Sequence, residues 1–194
     1  MISLTETQYR ILAAFKQLLV EYGYVKTTTR KIADVAGVNE LTIFKNFKDK
    51  EGVLNAAVND YLGDVDQIAG SITLSDDVEA DLIMLSSLYQ TFIDDHKAVV
   101  LAGFREAFEI PSLNGAVLKI PLYFKQFLMG YLTRMQARGV IDRRLDVEAQ
   151  AMSFIWLNFG YFLTRQRFSG PDLSFDLNYF LDNNVKSFVN GLLE

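Results

Sequence analysis

Lys26 to Lys50 reads KTTTRKIADVAGVNELTIFKNFKDK, two short helical patterns with a glycine between them. In the first, Thr29 to Ala36, the apolar Ile32, Ala33 and Ala36 fall on one face. Gly37 follows where a helix end needs a residue that accepts a left-handed backbone. Val38 is apolar and suited to pack back over that turn. Asn39 then offers a side-chain oxygen to the free amides of a second helix, which the pattern carries to Phe47. On this second helix Ile43 and Phe47 face inward, leaving Glu40, Leu41, Thr42, Lys45 and Asn46 outward. Two short helices joined this way predict a helix-turn-helix, whose second helix is shaped to enter a DNA major groove.

Helical patterns continue on both sides of this stretch. Thr5 with Gln8 suits a capping box, and Ile11, Leu12, Phe15, Leu18, Leu19 and Tyr22 form an apolar stripe that Gly23 ends. From Lys50 a further helix carries Val53, Leu54, Ala57, Val58, Tyr61 and Leu62 until Gly63 to Gly70 weaken the pattern. Ser75, with Glu79 nearby, opens the next, which Asp94-Asp95-His96 closes. Another runs from Lys97 to Phe108, ahead of Pro111. Pro121 fits the first turn of a long helix that stops at Gly139. Asp146 caps the penultimate helix, and the last spans Leu173 to Leu193. The sum is an all-α fold of about nine helices, with no internal repeat.

Gly23-Tyr24, Thr27-Thr28, Ile32-Ala33, Ala36-Gly37-Val38, Thr42-Ile43-Phe44, Phe47 and Lys50-Glu51 share one spacing pattern. Over roughly the first 55 residues that pattern resembles the N-terminal domain of the TetR/AcrR family of bacterial transcriptional regulators. The resemblance implies a three-helix DNA-binding domain at 1–49 and a larger helical ligand-binding and dimerisation domain at 50–194. Carried over residue by residue, it sets Thr28, Thr29, Phe44, Lys48 and Lys50 against the phosphate backbone. It turns Arg30, Asn39, Glu40, Leu41, Thr42, Lys45 and Asn46 to the groove, where an arginine can bond guanine O6 and N7. Three positions depart from the family. Phe44 stands where Tyr is common, Leu41 where a small residue or Pro is common, and Glu40 where a basic or polar residue is common. Phe44 therefore lacks a hydroxyl for phosphate, and Glu40 brings an acid toward the DNA.

Charge agrees with that division. The net charge is −5, yet residues 1–55 hold 8 Lys+Arg against 6 Asp+Glu, and the remainder holds 11 against 18. Basic charge gathers where phosphates would be met. At 50% hydrophobic and 22% charged, the chain has a globular composition. With no Cys there is no disulfide framework, and thiolate metal sites are excluded. Met1 to Glu6 has no positive segment leading into an apolar run, and the longest uncharged stretch, Ala149 to Thr164, is 16 residues. That is short of the roughly 20 a membrane helix needs, so we expect a cytoplasmic protein with no membrane partner.

Ala151 to Leu163 is apolar all round, with Met152, Phe154, Ile155, Trp156, Leu157, Phe159, Phe162 and Leu163. Such a helix must be covered on both sides. The last helix repeats the theme with Leu177, Tyr179, Phe180, Leu181, Val185, Phe188, Val189 and Leu192. A homodimer packing these two C-terminal helices against their copies would bury both, with Phe188 and Leu181 in the interface. The other arrangement is a monomer that hides the penultimate helix at its centre.

The aromatic residues, 15 Phe, 9 Tyr and 1 Trp, could line a cavity for a small-molecule effector or simply fill the core. Polar residues set within their stripes are the ligand-binding candidates: Tyr89, Arg105, Gln126, Tyr131 and Asn158. Arg105 beside Glu106 fits a solvated face equally well. His96 follows Asp94 and Asp95, and the simplest account is a cation near a helix C-terminus rather than a metal ligand. Asp76, Asp77, Glu79 and Asp81 favour a helix N-terminus electrostatically, and their spacing is not an EF-hand's. No enzyme motif and no cofactor signature is present. The favoured reading is a ligand-responsive repressor binding a double-stranded operator. An all-α small-molecule carrier or enzyme with a vestigial helix-turn-helix is the alternative.

Overall fold

The structure, a computed structural model, describes residues 4–106, 110–168 and 176–193, without the side chains of 65–71, 112, 116 and 117. Its elements are α1 (Glu6–Lys26), α2 (Thr29–Ala36), α3 (Glu40–Phe47), α4 (Lys50–Ser71), α5 (Val78–Asp95), α6 (Lys97–Glu106), α7 (Pro111–Val117), α8 (Lys119–Ala137), α9 (Val147–Arg167), α10 (Leu177–Phe180) and α11 (Lys186–Leu193). A π-helical segment, Leu181–Val185, joins the last two into one continuous rod. The described residues contain no strand, so the fold is all-α. The chain divides into two compact units, residues 1–71 with 96–120 and residues 72–95 with 121–194. Residue 49, the expected domain boundary, falls inside the first of these.

In the first unit, α1 packs against α2, α4 and α6, while α3 packs against α2 and α4. Ile11, Phe15, Leu19, Ile32, Ile43, Val53, Leu54 and Val58 are fully buried between them. Each such side chain contributes about 1.5–3 kcal/mol by leaving water. The α1 stripe holds as far as Leu19, but Tyr22 is 44% exposed, its ring lying under the Lys31 ammonium. The Thr5–Gln8 capping box forms. Gly23 breaks the helix at φ +77, beyond which a single irregular turn reaches Lys26. α4 does not fade at Gly63, as its sequence suggested, but stays helical to Ser71. Two glycines cost a helix about 1 kcal/mol each against alanine, an amount neighbouring turns can absorb.

In the second unit α5 packs against α9 and against the rod of α10 and α11. Asp77, not Ser75, caps α5, its carboxylate accepting from the Glu79 and Ala80 amides. Asp146 caps α9 as expected, and Gly139 ends α8 at φ +73. α7 was not foreseen, and α8 begins two residues before Pro121. The expected helix end at Phe108 and helix start at Leu173 lie outside the described residues. The rod keeps one buried face, Phe180, Val185, Val189 and Leu192, although these are spaced five, four and three residues apart. The π segment absorbs the five-residue step, since Lys186 N–H reaches back to Leu181 C=O and widens that turn.

Candidate DNA interface

The helix-turn-helix forms as its sequence dictates. Gly37 ends α2 at φ +64, ψ 40, and Val38 N–H bonds Ala33 C=O across the turn at 3.0 Å. Asn39 caps α3, its Oδ1 accepting from Leu41 N–H at 2.9 Å. Ile43 and Phe47 anchor α3 inward, while Leu41 is 73% exposed and Phe44 45%. Asn39, Lys45, Asn46 and Lys48 are also exposed, and Glu40 and Thr42 are half-buried. Asn46 folds back to bond Thr42 C=O at 2.7 Å.

Thr28 and Arg30 are exposed at the start of α2, where Thr28 caps the helix by accepting from Lys31 N–H at 3.2 Å. Thr29, half-buried, donates its hydroxyl to the Glu40 carboxylate at 2.6 Å, tying the first turn of α2 to the first turn of α3. The acid that sequence set against DNA is thus committed to holding the two helices together. α1 adds a second tie. Arg10 Nη2 donates to Ala36 C=O at 2.5 Å and Gly37 C=O at 3.0 Å, covering carbonyls left open at the end of α2.

At the far end of α3, Lys48 takes φ +73, a left-handed backbone rare for a residue with a Cβ. Asp49 caps α4 through Gly52 N–H at 2.7 Å. A Cβ on Gly52 would stand 1.7 Å from Phe47 C=O, so only glycine permits this approach of α4 to α3. Lys50 is half-buried. Its ammonium donates to Tyr24 C=O at 3.0 Å and lies 4.0 Å from the Tyr24 ring centroid. Burial pushes the Lys50 pKa down, and the Glu106 carboxylate pulls it back up.

Neither Arg10 nor Glu106 was singled out by sequence as part of this site. Glu106, at the end of α6, accepts from both Tyr24 N–H and Val25 N–H at 2.9 Å. It is therefore not on a solvated face, although its neighbour Arg105 is exposed. No local pattern signals a bond between residues 82 apart in the chain.

The ligand-binding candidates scatter. Arg105 and Gln126 are exposed. Tyr131 is buried and donates to Asp81 at 2.9 Å, and burial together with that bond pushes its pKa up. Asn158 is fully buried in a polar tie between α5 and α9. Its Oδ1 accepts from Ser86 at 2.5 Å and Gln90 at 3.2 Å, and its Nδ2 donates to Phe154 C=O at 3.0 Å. Tyr89 differs. Its ring meets Phe124 edge-on at 5.0 Å, burial pushes its pKa up, and its hydroxyl has no hydrogen-bond partner among the described residues. His96 is buried just after the last residue of α5. Its Nε2 lies 3.2 Å from Asp64, and its ring meets Tyr61 at 4.4 Å. Among the described residues no three His, Asp or Glu side chains gather to hold a metal ion. No described helix is long and apolar enough to cross a membrane.

Residues 11–57, which span most of α1 through the start of α4, match the bacterial regulatory proteins of the tetR family. The whole chain is 33% identical over 188 residues to the uncharacterised HTH-type transcriptional regulator YvkB of Bacillus subtilis (strain 168), covering 96% of this chain and 97% of that one. The chain belongs to the TetR family. It is a transcriptional regulator of that family with a helix-turn-helix, as the spacing of residues 23–51 implied. Solved structures share the fold over nearly its whole length. Salmonella enterica GusR superposes with TM-score 0.78 at 19% identity, covering 97% of this chain and 98% of its own. The regulator FadR from Bacillus subtilis, in complex with stearoyl-CoA, gives TM-score 0.73 at 20% identity, with 94% and 98% covered.

Proposed function

We propose that this TetR-family chain is a repressor. In this reading it binds a near-palindromic operator as a two-fold dimer and is released by a mostly apolar effector. Residues 1–49 read DNA, and residues 50–194 take the effector and dimerise. The observation that carries the reading is α3, anchored by Ile43 and Phe47 and offering Leu41, Phe44, Lys45 and Asn46 outward. Thr28, Lys48 and Lys50 lie against phosphates, together with Phe44 and Thr29, while Arg30, Asn39, Leu41, Thr42, Lys45 and Asn46 turn to the groove. Glu40 contributes chiefly through its bond to Thr29.

For the effector, the aromatic neighbours of Tyr89 support an apolar ligand oriented by one hydroxyl. Phe124 lies against Tyr89, Phe92 and Tyr123 edge-on. The B. subtilis FadR relative bound to stearoyl-CoA makes a long acyl chain the first class to try. A ligand changes DNA affinity only by favouring one dimer geometry over another.

The test is fluorescence anisotropy with a labelled duplex taken from upstream of the protein's own gene. We expect saturable binding that a scrambled duplex does not match, and release on titration with stearoyl-CoA. Equal affinity for both duplexes would remove the operator-binding reading. Specific binding that no acyl-CoA relieves would remove the acyl effector alone.

A further inference from the structure

Gly23 turns the backbone at φ +77, so the amides of Tyr24 and Val25 lose the acceptors a continuing helix would supply. Glu106 takes both, Oε1 from Tyr24 and Oε2 from Val25, each at 2.9 Å. A carboxylate closing on two successive amides fixes orientation as well as distance, which one bond would not. A Cβ at residue 23 would stand 2.3 Å from Glu106 Oε1, so the glycine also makes room for the acid. On its other side the joint is held by Lys50 on Tyr24 C=O and by the Thr27 hydroxyl on Gly23 C=O at 2.7 Å. The next residue is Thr28, which caps α2 and begins the DNA face.

We propose that Glu106 is a positioning residue of the DNA reader, through which the place of α6 sets the entry of α2. The inference rests on the operator-binding reading above. A shift of α6 must either drag residues 24 and 25 with it or break both bonds. In both cases Thr28, Thr29 and Arg30 move, since only Lys26 and Thr27 separate the clamp from the residue that caps α2. Operator affinity then follows α6 directly, in addition to any path along α4.

The test uses full-length Glu106→Gln, which keeps the shape but can accept no more than one of the two bonds, beside Glu106→Ala. Amide NMR reads Tyr24 and Val25, and anisotropy reads the upstream and scrambled duplexes. We expect one of the two amide resonances in Glu106→Gln, and both in Glu106→Ala, to move upfield and exchange roughly tenfold faster. Affinity for the upstream duplex should fall roughly tenfold, while scrambled-duplex binding holds. A merely structural role would instead weaken both duplexes together, and that result overturns the proposal. So does wild-type affinity for the upstream duplex once the amides have shifted, and so do unshifted amides. Wild-type protein with no preference for the upstream duplex overturns the operator-binding reading instead. The amide measurement, which needs no DNA, tells that failure apart from the failure of the clamp.

Discussion

Asp81 is 2% exposed, and burial alone would raise its carboxyl pKa. The bonds from Ser75 N–H and Oγ, Tyr131 and Asp76 N–H outweigh that and leave it lowered. A carboxylate with a depressed folded pKa adds stability above its unfolded value, about 3.9, and loses it as pH falls through the folded one. Melting midpoints should therefore drop below about pH 4 in the wild type and drop less steeply in Asp81→Asn. At neutral pH the same variant should cost about 1–3 kcal/mol, because an amide cannot satisfy all four donors. Chemical denaturation at the two pH values checks both statements. Lys48 carries a different conflict, since its φ of +73 suits glycine while its position suits a phosphate contact. Lys48→Gly should raise stability by about 1 kcal/mol and lower the salt slope of DNA binding by about one. Lys48→Ala should lose the slope and gain no stability, and a slope unchanged in both would take Lys48 off the phosphates. Neither conflict was legible in sequence, for backbone dihedrals and buried partners are set by neighbours that sequence spacing does not reveal.

Helix ends were the most legible elements, because a cap is a local bargain between one side chain and amides two or three residues away. Thr5 with Gln8, Gly37, Asn39, Gly139 and Asp146 all stop or start helices where their chemistry says they should. Ser75 misled for the same local reason: Asp77 is also a good cap and lies nearer the helix, leaving Ser75 to donate to Asp81. The ties between elements were illegible, as with Arg10 on the carbonyls of Ala36 and Gly37 or Asn158 between α5 and α9. The rod formed by the last two helices shows how pattern and geometry negotiate. Its buried residues step by five at the π segment, so removing one exposed residue there restores a regular four-residue step without rotating either end. Deleting Asn184 should accordingly leave helix content intact and the melting midpoint within about 3 °C of wild type. Inserting one alanine after Ser187 turns Val189 and Leu192 by about 100° away from the core and should lower the midpoint by far more. Circular dichroism melts separate the two outcomes. Equal losses would mean the wide turn is required in itself.

At the scale of the molecule, the apolar excess of α9 is only half accounted for within one chain. Ala151, Phe154, Ile155 and Phe162 are buried, whereas Trp156 is 64% exposed with half-buried Phe159 and Leu163 one and two turns on. A tryptophan left that open on an otherwise apolar helix face is the residue type that most often anchors a protein interface. Phe188 and Leu181, expected in the dimer contact, are half-buried and pack partly against their own core, where the Phe188 ring lies 5.5 Å from Phe154. The exposed positions of the rod are mostly polar, among them Asn183, Asn184, Ser187 and Asn190, with Tyr179 and Leu193 exposed near its two ends. Sequence gave the apolar excess but could not say which residues face inward, since a helix apolar all round has no stripe to orient it. The proposed dimer would matter for function by pairing two recognition helices on one operator. Two of them, held about 34–36 Å apart, reach successive turns of the major groove. Trp156→Asp places a charge at the centre of the proposed contact while leaving the buried face of α9 untouched. Sedimentation at micromolar concentration should show wild-type dimer and variant monomer, with helix content unchanged. Binding to a palindromic duplex should then weaken by more than binding to a single half-site, because the variant loses the link between two readers and not the readers themselves. A Trp156→Asp protein that remains dimeric would move the interface off this face of α9.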